Sequence, residues 1–292
     1  MKIKRNLTMP AVAALAMVAM GSDAWGAVIP VTNWALHNQL GSDTPTISAG
    51  TEATSSPLFD VSSDKDNAAF MGRFTNTELA VDGDYVEMNA TLTLTGRVGS
   101  TGAAGLATQL RMGLFNGPDA AVLVNDTPNL GFFTVYANVA QAGNGHRALR
   151  AQSNPAEQLP LPGSDTINIA AGTADADNDN IQGANPGPVA FMLRITRNGG
   201  LLDFDGSISG TDSVTGNAYL SEYDLTGYDP GAIGFAFDRV GIFLGPNVNA
   251  PSAHLTDVTV TTNIPEPASW ALAALALSGL GLGRKASHWG KL

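Results

Sequence analysis

Cysteine is absent from all 292 residues, so thiol nucleophiles, thiolate metal sites and disulfide bonds are excluded. The fold must be stabilised by burial, backbone pairing or bound ions. Lysine is almost missing as well, because Lys65 is the only one between residues 27 and 264. That stretch holds 24 acidic and nine basic side chains, which gives a net charge of −15. Because phosphate contacts require a basic surface, we expect no nucleic-acid partner.

Closely spaced catalytic carboxylates are also lacking. Glycosidases need two carboxyl groups across the scissile bond, yet no two glutamates between residues 27 and 264 lie within eight residues of each other. Asp203 and Asp205 share one strand face, but they follow a turn and we expect them to face solvent. His37, His146 and His254 are isolated. We predict no catalytic residues and no enzyme, and the alternative is a glycan-active hydrolase or lyase with an unrecognised site.

Alternation of apolar and polar residues dominates the middle of the chain. Between Tyr85 and Val98 the apolar residues recur at every second position, which predicts a strand with one buried and one wet face. The same pattern predicts further strands of this kind at Leu110–Leu114, Phe133–Val139 and Phe191–Arg197. We also predict strands at Leu201–Ser209, Gly234–Leu244 and Leu255–Thr262. Asn198-Gly199-Gly200 predicts a hairpin turn, because asparagine and glycine tolerate positive φ. We predict an all-β domain, an antiparallel β-sandwich.

The first 26 residues match a secretory signal peptide. Its parts are a basic n-region (Lys2, Lys4, Arg5), an apolar h-region (Met9 to Met20) and a small-x-small cleavage site (Ala24-Trp25-Gly26). We expect an N-terminal signal helix and a mature protein that begins near Ala27. Cleavage after Ala24 and retention as a permanent anchor are the alternatives.

The C-terminus holds three unlike elements in a fixed order. Pro265-Glu266-Pro267 is a stiff peptide, because each proline fixes φ and keeps the preceding residue extended. The apolar run from Ala268 to Gly283 would reach about 24 Å as a helix, against a hydrocarbon thickness of roughly 30 Å. Arg284 and Lys285 then supply the positive charge that stays in the cytoplasm. We predict a short transmembrane helix with the main domain on the far side of the membrane.

Residues 264 to 286 resemble the sorting tail of the PEP-CTERM family of exported bacterial proteins. The resemblance implies that Pro265, Glu266 and Pro267 are recognised by an exosortase, a transpeptidase-like cysteine protease of the membrane, and that Arg284 and Lys285 are the stop. It also implies a Gram-negative bacterium that makes exopolysaccharide. The protein would be anchored transiently in the inner membrane and then delivered to the envelope, the outer surface or the extracellular matrix. The polar extension beyond Lys285 is longer than the family's usual end.

A second resemblance concerns the core. Leu110–Asn116, Phe235–Leu244 and the last strand, Leu255–Thr262, are similar in texture to the jelly-roll domains of the concanavalin A-like superfamily. This resemblance implies a jelly-roll topology and carries over no binding residue. The predicted organisation is therefore a signal peptide at residues 1–26, a β-sandwich at 27–263 and a sorting signal at 264–292, with the transmembrane helix at 268–283 and the basic end at 284–285.

Two kinds of ligand are compatible with the polar segments. Asp175, Asp177 and Asp179 alternate in one acidic loop, which we expect to be a solvated acidic turn without a cofactor. Binding of Ca²⁺ by the three carboxylates is the alternative. Aromatic side chains near polar segments suit saccharides, and the candidates are Trp34, Tyr136, Tyr223 and Tyr228, of which Trp34 is expected to pack onto the sandwich. The sequence ranks no ligand-binding residue. We predict a non-catalytic structural or glycan-binding protein, with exopolysaccharide as a candidate partner.

Overall fold

The computed structural model describes residues 26–38, 46–48, 58–60, 68–95, 109–117, 130–137, 147–153, 166–173, 188–212, 215–244 and 252–264. The chain divides into two units, and one of them is Val28–Ile264. The other consists of residues 1–27 and 265–292, of which only Gly26 and Ala27 are described. The predicted signal and sorting helices therefore lie outside the described residues. Within the described ranges no helix has the length and hydropathy needed to span a membrane.

The described residues form fifteen strands. In chain order they are β1 Ala27–Ile29, β2 Thr32–Asn38, β3 Thr46–Ser48, β4 Leu58–Asp60, β5 Ala68–Glu78, β6 Tyr85–Thr95, β7 Gln109–Asn116, β8 Leu130–Ala137, β9 Arg147–Gln152, β10 Thr166–Ala171, β11 Val189–Asn198, β12 Leu201–Thr211, β13 Ala218–Tyr228, β14 Ala236–Leu244 and β15 Ser252–Thr262. The predicted strands correspond to β6, β7, β8, β11, β12, β14 and β15. The all-β prediction is confirmed for this part of the chain.

The strands form two antiparallel sheets. Sheet A has the order β13-β12-β11-β6-β15-β4-β3, with β1 paired to β15. Sheet B has the order β10-β9-β8-β7-β14-β5-β2. The predicted hairpin joins β11 to β12 through Gly199, whose φ is 65°. The central pairs of sheet A join β6 to strands that are distant in sequence, β11 on one side and β15 on the other.

The inner faces of the two sheets pack against each other and form the main core. The alternation in β6 is as predicted, because Val86, Met88 and the apolar residues that follow are buried while the intervening polar residues are partly exposed. Phe132 of sheet B meets Phe204 of sheet A edge to face, with ring centroids 4.8 Å apart. Trp34 is 1% exposed and belongs to the same cluster, so its predicted packing role is confirmed.

Sheet B differs from the prediction, because β7 and β8 are buried on both faces. Phe132 belongs to the main core, whereas Phe133 and Val135 point to the outer side and are also buried. Phe115, on the same outer side, lies 6.1 Å from the Phe133 ring and 5.7 Å from that of Phe243. The prediction of one wet face was wrong here, because a second apolar layer covers positions that alternation alone assigns to solvent.

Two segments in which no strand was predicted contain strands. The range from residue 38 to 56 includes β3, and the range from 143 to 165 includes β9. The sequence of β9, RALRAQ, has no β-branched residue, and it becomes a strand because β8 and β10 pair with it on either side. Tertiary context thus overrides a weak local propensity.

We predict that Gly241→Ala destabilises the protein by about 1–3 kcal/mol through overpacking. A Cβ at Gly241 would lie 2.7 Å from Phe115 Cε2 and 2.8 Å from Met71 Sδ, inside the second apolar layer. Gly200→Ala is the matched control, because a Cβ there meets nothing within 4 Å. Urea unfolding measures both free energies. Equal stability of the two variants would contradict the close packing of this layer.

Candidate functional site

The outer face of sheet A, here called the polar face, carries the side chains that β6, β11, β12, β13 and β15 turn away from the core. On these strands the buried apolar residues alternate with half-buried or exposed polar ones. The strand register arranges the outward side chains in rows across the sheet, and one row consists of Thr261, Glu87, Arg194, Asp205 and Asp224. Because neighbouring strands lie about 4.8 Å apart, side chains within a row can interact.

Arg194 lies at the centre of this row. Together with Tyr85, Glu87, Asn89 and Asp205 it forms what we call the Arg194 cluster. Arg194 Nε lies 2.7 Å from Oε2 of Glu87, and Asn89 Nδ2 donates a 2.7 Å hydrogen bond to Oε1 of Glu87. The guanidinium carbon lies 4.2 Å from the centroid of the Tyr85 ring. Arg194 is therefore held by a carboxylate and by an aromatic face, which together fix its plane.

The Arg194 cluster is open to solvent. The Arg194 side chain is 39% exposed and that of Glu87 is 20% exposed, and Asp205 is exposed on the neighbouring strand. An ion pair at this level of exposure contributes only about 0–1 kcal/mol to stability. Its main consequence is that hydrogen-bond donors and acceptors are presented to solvent in fixed directions.

Acidic groups predominate around the cluster. The carboxylates on the polar strands β6, β12 and β13 are Glu87, Asp203, Asp205, Glu222 and Asp224, and they share this face with Arg194. Asp205 and Asp224 are directly opposite each other in register. The face can therefore donate hydrogen bonds at Arg194 and accept them on both sides of it, while its overall charge repels anions.

A second charged cluster lies on the outer side of sheet B. We call this cluster, formed by Arg73, Arg111, Arg150, Arg239 and Asp238, the arginine layer. Asp238 lies 3.6 Å from Arg73 and 3.3 Å from Arg239, and the guanidinium of Arg111 lies 6.0 Å from the Phe133 ring centroid. Arg239 is 0% exposed and Arg111 is 3% exposed. The charges of Arg239 and Arg111 are therefore removed from water, which is costly unless packing and pairing offset the penalty.

Burial shifts the titration of the arginine layer. Burial and then the charge of Arg150 lower the pKa of Arg111 to about 9, so Arg111 stays charged at neutral pH. Burial also lowers the pKa of Arg150. Burial raises the pKa of Asp238, while Arg239, Arg73 and a backbone hydrogen bond from Gly117 oppose that rise. Because this layer is mostly withdrawn from solvent, the Arg194 cluster is the better candidate for contact with a ligand.

The sequence-predicted sites fall outside the described residues. They are the acidic loop Asp175, Asp177 and Asp179 and the sorting residues Pro265, Glu266, Pro267, Arg284 and Lys285. Within the described ranges, no group of three or more histidine or acidic side chains is placed to hold a metal ion. The calcium and sorting assignments therefore stay predictions.

Two tyrosines considered for a sugar site belong to the core instead. Tyr223 is 2% exposed, and its hydroxyl donates to the Val135 carbonyl of the opposite sheet at 3.4 Å. Tyr228 packs edge to face on Phe132, with ring centroids 5.7 Å apart. Both lie in β13 and point between the sheets, so their selection as candidates for a sugar site was wrong. Tyr136 lies in β8.

Three aspartates accept hydrogen bonds in the turns at one end of the sandwich. Asp84 accepts hydrogen bonds from the backbone of Ala80 and Val81, each at 2.8 Å. Asp82 accepts one from Gly199 at 2.7 Å. Asp203 accepts one from Gly227 at 2.8 Å and another from the Asn198 side chain at 2.9 Å. These three aspartates therefore stabilise turns.

The Arg194 cluster was not predicted from the sequence. Glu87 and Asn89 lie on the wet face of one predicted strand, and Arg194 lies on the wet face of another. Nothing in either segment indicates that the two strands pair. The site could have been found only by proposing that β6 pairs with β11, because that register places Glu87 opposite Arg194.

No protein-family model matches this chain, and no curated protein sequence matches it. Among solved structures, lectin II from Ulex europaeus matches 83% of this chain and 100% of its own, at 9% identity and a TM-score of 0.42. Lectin I from Ulex europaeus, in complex with the methyl glycoside of α-L-fucose, covers 81% and 92% at 11% identity and a TM-score of 0.42.

The carbohydrate recognition domain of Emp47p covers 83% of this chain and 97% of its own, at 12% identity and a TM-score of 0.40. Likenesses with TM-scores and identities this low carry no inference about ligand or activity. The class of fold rests on the chain's own strand pairing, which defines a two-sheet antiparallel β-sandwich.

We predict that Asp238→Asn changes the pH dependence of stability. The folded protein holds the Asp238 proton more tightly than the unfolded chain, where the pKa is near 3.8. The contribution of Asp238 to the free energy of unfolding is therefore greatest below pH 3.8 and declines as pH rises through that value. The stability difference, wild type minus variant, should fall with rising pH in urea titrations.

The exposed Asp224, replaced by asparagine, controls for the loss of a surface carboxylate. The free energy of unfolding of the wild type minus that of the Asp238→Asn variant is the quantity to follow. If this difference stays constant or increases with pH, the pKa of Asp238 is not raised in the folded protein.

Proposed function

We propose that this chain is an exported, non-catalytic protein of the cell surface or extracellular matrix, sorted by exosortase in an exopolysaccharide-producing Gram-negative bacterium. It binds glycan through the polar face, and the contact is centred on the Arg194 cluster. The observation that carries the binding part is Arg194, whose guanidinium is paired with Glu87 and lies over the Tyr85 ring while the side chain as a whole is 39% exposed.

Sugar recognition needs polar groups in fixed directions on a rigid support. The polar face meets the second requirement, because β6 and β11 are paired along eight residues and their inner sides are buried in the main core. Arg194, Asn89 and the carboxylates of Glu87 and Asp205 supply the polar groups in fixed directions. A donor that is already oriented loses little entropy on binding, and this lowers the cost of association.

Both ends of the sequence support the proposed location. The signal peptide at 1–26 directs export, and the tail at 264–292 resembles an exosortase substrate. The net charge of −15 between residues 27 and 264 suits an acidic β-domain outside the cell.

We predict that Arg194→Ala weakens binding of the exported protein to the host's own exopolysaccharide by about 10- to 100-fold, because hydrogen bonds to charged groups contribute about 1.5–3 kcal/mol. Glu87→Gln should weaken it less, since Arg194 loses only one of its two supports. Arg194→Lys should not restore binding, because a lysine ammonium lacks the planar fork. Retention on immobilised polysaccharide measures the affinities.

Glu78→Gln is the matched control for Glu87→Gln, because Glu78 is exposed at the end of β5, in the other sheet. All variants should unfold at the wild-type denaturant midpoint. Equal retention of the Arg194→Ala variant would refute the site, and loss of retention in Glu78→Gln would show a non-specific charge effect. Release of reducing ends from the polysaccharide would refute the non-catalytic assignment.

We predict that Glu266→Ala, or deletion of Ala268 to Leu292, changes maturation and surface retention without unfolding the β-sandwich. Glu266 is held in a fixed position between Pro265 and Pro267, and this makes it the side chain that an enzyme can recognise. Mass spectrometry of the mature C-terminus and fractionation of the envelope measure the effect. Unchanged processing and location in both variants would rule out the sorting assignment.

A further inference from the structure

Building on the proposed function, we infer that the Arg194 cluster recognises a neutral glycan through adjacent pairs of free hydroxyl groups. An anionic, uronate-rich polymer does not fit this site. The inference rests on the order of donors and acceptors along one row of the polar face and on the charge around that row.

The row alternates in hydrogen-bonding character. Arg194 can only donate, and its cross-strand neighbours Glu87 and Asp205 can only accept while ionised. A hydroxyl group both donates and accepts. Two neighbouring hydroxyls can therefore accept from Arg194 and donate to a flanking carboxylate, whereas a carboxylate ligand would satisfy Arg194 and leave Glu87 and Asp205 facing like charge.

The alternation is fixed before a ligand arrives. Glu87 is engaged at both oxygens, by Arg194 at 2.7 Å and by Asn89 at 2.7 Å. The stacking of Arg194 on Tyr85 at 4.2 Å limits rotation of the guanidinium plane. A site with this order rejects a ligand that cannot both donate and accept, because its polar groups would then lose water without a replacement.

The carboxylates around the row further favour a neutral glycan over an anionic one. Asp205 faces Asp224 across β12 and β13, and Asp203 and Glu222 lie on the same two strands. A polyuronate chain laid on this face would therefore meet several carboxylates and a single guanidinium, and that guanidinium is already paired with Glu87. Such repulsion is long-ranged at low salt and is screened as salt rises.

The test measures retention of the full exported protein on four immobilised polymers. They are an unmodified neutral glucan, the same glucan with its hydroxyls O-methylated, polygalacturonate and partly deacetylated chitosan. We expect retention on the unmodified glucan, with an affinity that changes less than about twofold between about 0.05 M and 0.5 M NaCl, because no net charge is paired. Methylation should reduce the affinity at least about tenfold, and Arg194→Ala should reduce it to a similar extent.

The outcomes separate this inference from the proposed function. Retention on polygalacturonate or on chitosan but not on neutral glucan, lost in Arg194→Ala, would overturn the neutral-glycan inference and leave the glycan-binding site standing. Equal retention on the methylated and unmodified glucan would overturn the role of paired hydroxyls. Retention that ignores Arg194→Ala, or no retention on any polymer, would overturn both.

Discussion

The burial of the two inner sheet faces against each other is the interaction on which the rest of the structure depends. The chain has no cysteine, so no disulfide can hold the sheets together. Cross-sheet contacts such as Phe132 with Phe204 and Tyr228 hold them instead, and each large apolar side chain that is buried contributes about 1.5–3 kcal/mol. The polar face is rigid because the opposite side of the same strands is fixed in this core.

The two outer faces of the sandwich have opposite characters. Sheet A presents carboxylates, hydroxyls and one oriented guanidinium to water. Sheet B carries a second apolar layer, in which Gly241 leaves room for the rings of Phe115 and Phe243. The arginine layer lies beside these rings. Removal from water raises the pKa of Asp238 and lowers the pKa of Arg111. One face is thus available for recognition, and the other is committed to packing.

Sequence reasoning predicted the strands best where one face is wet. β6 and β11 alternate cleanly, and the turn at Gly199 has the residues that a tight hairpin requires. It did less well in sheet B, since alternation cannot reveal a second buried layer, and it missed β9, whose pairing with β8 and β10 outweighs its composition. The site was not predictable by the same means, and Tyr223, which seemed open, proved to be buried.

The sequence alone determined the properties that are local or additive. These are the lack of thiols, the acidity of residues 27 to 264 and the period of two that makes the domain β. Only the tertiary structure decided which polar residues meet. Glu87 and Arg194 are neighbours because β6 pairs with β11 in one register, and a shift of β11 by one residue would turn Arg194 into the core. Register is set by the burial of whole faces, a non-local quantity that no single segment of the chain contains.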